Sequence, residues 1–155
     1  MTINDPVFGE LEYDYAWSKD TTINLLEKEF EIALMIKGDE DGKFDEEQYA
    51  AYQSLMQDWE QLQQSFLKPI LDYYQQKRHE VGYDIEFNKD YPLVETIDRL
   101  IEMITLGGIV VSYGDIYEER DIGILFNCTW DEENGLGLRL LDEKVFEVGY
   151  QDVAI

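Results

Sequence analysis

At 155 residues the chain has the length of one domain, 1–155, and can bury roughly 70% of its unfolded surface without disulfides or metals. Its 35 acidic residues against 12 basic ones give a formal charge of -23, a surface that phosphate backbones and anionic lipid headgroups would repel; neither nucleic acid nor membrane is an expected partner. A hydrophobic content of 45%, with 14% aromatic, is too rich for a disordered acidic tail, so a folded acidic protein is expected.

Asp5-Pro6 reads as a turn. Leu11, Tyr13, Tyr15 and Trp17 then alternate with Glu10, Glu12, Asp14 and Ala16, a strand with one aromatic and one acidic face. Ser18–Asp20 is read as a turn, Thr21–Leu26 as a second strand, and Phe30, Ile32, Leu34 and Ile36 as the inward face of a third. The short connections make this an antiparallel meander.

Residues 38–48 are the most charged piece of the chain. Aligned with a calcium-binding EF-hand loop, with Gly42 at the sharp turn, they put Asp39, Asp41 and Asp45 at ligand positions. Lys37 and Gln48 fall where that loop needs its first and last acids, so these three are weak metal candidates and no metal or cofactor is expected. The preferred reading is a helix start, with Asp45 as cap and Gln48 completing a capping box.

Tyr49, Tyr52, Leu55, Met56, Trp59, Leu62, Phe66, Ile70 and Tyr73 recur every three or four residues and predict a helix over 45–78, kinked or restarted at Pro69. Its stripe of Tyr52, Trp59, Phe66 and Tyr73 is read as core-facing, with pairing against a second copy as the alternative. His79, the single histidine, follows Lys77 and Arg78 where a helix C-terminus favours positive charge. Residues 82–91 read as a connection. Pro92 then opens a second predicted helix over 92–106, with Leu93, Val94, Ile97, Leu100, Ile101 and Ile104 on one face and Gly107-Gly108 as its stop.

Ile109–Tyr117 is read as a strand. From Ile122 the apolar positions 124, 126, 128 and 130 alternate, Asn134-Gly135 reverses the chain, Leu136, Leu138 and Leu140 resume the period, and Val145–Val148 closes a C-terminal meander. Cys128, the single cysteine, lies on the apolar face and reads as a buried thiol. The fold class expected is α+β, with N-terminal and C-terminal antiparallel meanders packed against two central helices.

Three stretches carry a likeness to a known group: Asp5–Asp14, Glu47–Tyr52 and Cys128–Gly137. They resemble small bacterial domains of unknown function, some of them associated with genes beside secreted toxins in the manner of immunity proteins. The resemblance implies a bacterial origin and offers no catalytic residues.

One histidine and one buried cysteine leave no nucleophile and base to pair, and zinc would lack ligands, so no enzyme is expected; carboxylate-only chemistry is the reading left open. Its best local cluster is Asp131, Glu132 and Glu133 beside Trp130. The leading expectation is a non-enzymatic protein whose acidic surface captures a basic protein partner, such as a toxin, through Tyr113, Tyr117, Trp130, Asp131, Glu132 and Glu133. The alternative is a scaffold domain that forms a homodimer. No leader or long apolar run is apparent, and the cytoplasm is the expected compartment.

Overall fold

The computed structural model describes residues 1–82, 91–114 and 119–155. Eight strands, β1 (Thr2–Asp5), β2 (Gly9–Tyr13), β3 (Trp17–Leu25), β4 (Lys28–Ile36), β5 (Ile104–Val111), β6 (Asp121–Cys128), β7 (Leu136–Leu141) and β8 (Lys144–Gly149), form one sheet in chain order. Every neighbouring pair is antiparallel except β4 and β5, which run parallel from Ala33 beside Gly108 to Ile36 beside Val111. Parallel neighbours need a long crossover. It is supplied by α1 (Glu46–Gln57), α2 (Trp59–Glu80) and α3 (Ile97–Ile101).

The expected pair of meanders on two central helices is therefore wrong: the two sets of strands are fused into a single mixed sheet, and strand outweighs helix. The predicted 92–106 helix shrinks to the five residues of α3. Ile104 continued the helical spacing of Ile97, Leu100 and Ile101, but it opens β5, the strand that welds the two halves. Gly107, read as part of a helix stop, sits instead at a bulge between Leu106 and Gly108 in the β5–β6 register.

The first strand reading is corrected too. Leu11–Trp17 is a hairpin of β2 and β3, turned at Tyr15, whose φ of 67° is left-handed; Asp14 N–H donates to Ala16 O at 3.1 Å. Ser18–Asp20 lies inside β3. The long helix breaks at Asp58 rather than at Pro69, through which α2 is continuous. Its start is as expected: Asp45 N–H donates to Gln48 Oε1 at 2.9 Å, and the buried Gln48 amide donates onward to Lys37 O at 2.7 Å.

Two further hairpins close on left-handed residues that are not glycine. At Leu26-Glu27 (φ 54° and 68°) the turn is pinned by α2: Gln63 Oε1 accepts from Leu26 N–H and the Trp59 indole donates to Asn24 O, each at 2.7 Å. At Asp142-Glu143 (φ 48° and 63°) Arg120 grips the Glu143 carboxylate at 2.7 and 3.0 Å. These contacts hold backbone conformations that bulky side chains disfavour.

Leu11, Trp17, Ile32, Leu34, Ile36, Ile109, Val111, Ile122, Ile124, Leu138 and Leu140 form the buried face, on which Leu55, Phe66, Ile70 and Tyr74 of the helices pack. Among the described residues, the C-terminal turn covers the opposite face over β6–β8. There the C-terminal turn Gln151–Ala154 lies against Gly123 and Gly137, where an added Cβ would come within 1.9 Å of Ala154 O and 2.6 Å of Tyr150 O.

Candidate functional site

Register decides what the open half of the outer face displays. In β4, Phe30, Ile32, Leu34 and Ile36 point into the core, which sends Glu29 and Glu31 outward. Pairing carries that face across the sheet to Asn24, Thr22, Asp20 and Ser18 of β3, then to Glu12 and Glu10 of β2. Glu10, Glu12, Asp20, Glu29 and Glu31 are all exposed. Lys19 and Lys28 fall on the other face, opposite Leu34 and Leu25.

Carboxylates directly opposite each other in a sheet repel. Here each faces a neutral residue: Glu10 is paired with Asn4, Glu12 with Thr2 and Ser18, Asp20 with Ala33, Glu29 with Asn24 and Glu31 with Thr22. Among the described residues none of the five enters an ion pair. The sheet thus presents an acidic plane whose charge is not neutralised from within.

This plane meets a buried polar cluster at the carboxyl ends of β4 and β5, where Lys37, Ser112, Asp121 and Arg139 share the same face. Arg139 Nη1 donates to Asp121 Oδ2 at 3.1 Å, its Nε to Val153 O at 2.8 Å and its Nη2 to Ile155 O at 3.3 Å, fastening the C-terminal segment. Ser112 Oγ and Asp121 Oδ1 are buried with no hydrogen-bond partner. Burial pushes the Asp121 carboxyl above its ordinary value, against the pull of Arg139 and Lys37. Burial, then Arg139, pushes the Lys37 amine below its own, with Asp121 opposing.

The residues singled out from sequence are scattered. Trp130 is buried, edge-on to Tyr74 with ring centres 4.8 Å apart, so it is a core residue and not an exposed anchor. Asp131 turns its carboxylate back on Asn134, accepting from the backbone at 3.1 Å and from Nδ2 at 3.0 Å. Glu132 and Glu133 are exposed on that loop, and Glu132 borders a cleft of about 340 Å³ with Met103, Thr105 and Cys128. Tyr113 is exposed beyond the end of β5, while Tyr117 lies outside the described residues.

Asp41 and Asp45 serve their own loop, and Asp39 is tied to β3 through its backbone carbonyl. Asp39 O accepts from the Trp17 indole at 2.7 Å, Asp41 Oδ1 accepts from Lys43 N–H at 3.1 Å, and Asp45 begins α1. Among the described residues no group of three or more His, Cys, Asp or Glu side chains is placed to hold a metal ion.

Sequence reading missed Arg139 and Asp121. A signal was present: an arginine inside Leu-Gly-Leu-Arg-Leu-Leu, in a strand buried on both faces, requires an acidic partner nearby.

Two buried acids and one half-buried phenol set an alkaline limit. Burial pushes the Tyr74 phenol from 10.0 up to about 12 and the Cys128 thiol from 9.0 to about 11. Burial, with the Asp5 carboxylate 2.6 Å away, takes Tyr49 from 10.0 to about 12. Folding favours the neutral form of each, so the native state holds these protons more tightly than the unfolded chain. Stability is then fully present below about pH 9 and lost as pH rises through the folded values. Thermal melts are expected to show the midpoint falling between about pH 9 and 12; a flat profile there would contradict the burial of these groups.

The structure defines a class: a single mixed-sheet protein with one helical crossover, an open acidic sheet face and a buried ion pair beside it. Residues 7–155 match the family described as "Domain of unknown function (DUF6985)", and the chain belongs to that family. No curated protein and no solved structure matches it. Among the described residues no helix is long and apolar enough to cross a membrane.

Proposed function

We propose that this chain is a non-enzymatic binding protein that captures a basic protein on the outer face of β1–β4. The observation that carries this reading is the set of five exposed carboxylates, Glu10, Glu12, Asp20, Glu29 and Glu31, each opposite a neutral residue and none ion-paired among the described residues. Unneutralised charge of one sign costs the fold self-repulsion and raises the encounter rate with an oppositely charged partner by one to three orders of magnitude. An immunity role in a bacterial cytoplasm, with a basic toxin as the partner, is the form of this reading that the resemblance suggests.

Self-association through the sheet edges is disfavoured. β1 is only four residues long, and β8 carries Lys144, Glu147 and an irregular register beside Arg139 and Leu140, features that blunt an edge. Tagged protein incubated with host lysate is expected to retain a basic protein at low salt and to release it at high salt, because exposed charges are screened within about 10 Å at 0.1 M. A doubled mass with no other protein retained would place the homodimer first.

A further inference from the structure

At the rim of the acidic face, where the β3–β4 hairpin meets the first turn of α2, lies a cavity of about 350 Å³ lined by Asn24, Leu26, Glu27, Trp59, Glu60, Gln63 and Gln64. We propose that it is an anchor pocket for an arginine side chain of the basic partner; the inference rests on the binding role proposed above and names the group that the site takes. Leu26 and Trp59 supply an apolar floor for the aliphatic stem. Glu27 and Glu60, both exposed and without an ion-pair partner among the described residues, line the cavity and offer carboxylates to the guanidinium, whose fork of donors suits carboxylate and amide oxygens.

Asn24, which lines the pocket, is paired in the sheet with Glu29 of the acidic face. The pocket walls are fixed before any ligand arrives. Gln63, nearly fully buried, holds Leu26 N–H at 2.7 Å and donates to Asn24 O at 3.3 Å, and the Trp59 indole holds the same carbonyl. The positive end of α2 lies here, but it amounts to about half a charge, and Asp58 and Glu60 outweigh it. A cation is therefore favoured over an anion. Arginine is favoured over lysine because its planar group offers donors to two acids while its stem lies on the ring.

The test titrates N-acetyl-argininamide and, separately, a hexa-arginine peptide into the isotope-labelled protein, observing the Trp59 indole and Gln63 amide resonances. N-acetyl-argininamide is expected to shift both resonances saturably. E27Q/E60Q is expected to abolish those shifts and to weaken the peptide about five- to tenfold, while its melting temperature stays at the wild-type value. Neutralising Glu10, Glu12, Glu29 and Glu31 to glutamine weakens the peptide but leaves the N-acetyl-argininamide shifts intact. Shifts that survive in E27Q/E60Q, or are absent from the wild type, overturn the pocket. Wild-type protein that ignores the peptide overturns the acidic-face reading, and the two failures are told apart by which probe is lost.

Discussion

Replacing Arg139 by alanine is expected to cost the fold about 3–5 kcal/mol, the scale for breaking a buried ion pair by removing one partner. The Asp121 side chain has no solvent exposure, its Oδ1 has no hydrogen-bond partner, and Arg139 supplies the bond to Oδ2 at 3.1 Å. Without the guanidinium a carboxylate is left in the sheet with only the half-buried Lys37 to oppose it. The same change frees Val153 O and Ile155 O, which Arg139 holds at 2.8 and 3.3 Å. Arg139→Ala combined with Asp121→Asn removes the stranded charge and is expected to recover part of the loss. Urea unfolding of the two variants checks this; a loss under about 1 kcal/mol for Arg139→Ala would contradict the buried pair.

Gly123→Ala is expected to lever the C-terminal segment off the sheet. A Cβ at Gly123 would stand 1.9 Å from Ala154 O and 2.9 Å from Ala154 Cα, backbone atoms that cannot rotate aside. Either β6 shifts within a sheet paired on both sides, or residues 150–155 leave. Overpacking of this kind costs about 1–3 kcal/mol, and departure is the cheaper path because the segment is fastened mainly by Arg139 and by Gln151 Nε2, which donates to Phe126 O at 2.8 Å. Hydrogen exchange is expected to speed at the Val153 and Ile155 amides, whose bonds to Tyr150 O and Asp152 O depend on the turn. Unchanged exchange and stability would mean that the segment does not rest on Gly123 in solution.

What could be read from sequence was whatever depends on neighbours along the chain. The strands over Ile122–Cys128 and Leu136–Leu140, the reversal near Asn134-Gly135 and the Asp45/Gln48 helix start all rest on local chemistry and appear in the structure, although both strands are buried on two faces where alternation implied one. What failed depends on contacts made far away. Ile104 fits a helix as well as a strand until β6 pairs it with Cys128 and β4 takes the following residues 108–111 into the sheet's centre. Tyr15 turns the chain with a left-handed dihedral that no propensity assigns to tyrosine. Trp130 looked like an exposed aromatic because three acids follow it, yet its ring closes the core over Tyr74.

The site divides in the same way. Acidic alternation at Glu10 and Glu12 was visible in the first strand, but its continuation through Asp20, Glu31 and Glu29 requires the register of β2, β3 and β4. The ion pair of Asp121 and Arg139 joins residues 18 apart on adjacent strands, which no local pattern marks.

The most direct measurement compares two variants of equal charge against the captured partner. One carries Glu10→Gln, Glu12→Gln, Asp20→Asn, Glu29→Gln and Glu31→Gln; the other carries Glu→Gln at 80, 95, 102, 132 and 133, all exposed and off this face. Affinity is read at about 0.05 and 0.3 M salt, where screening of surface charges differs strongly. The first variant is expected to lose at least about tenfold in affinity at low salt, together with most of the salt dependence, and the second to stay within about twofold of wild type. Equal losses in both, or a larger loss in the second, would show that net charge or the 129–135 loop governs capture and would contradict the assignment to the β1–β4 face.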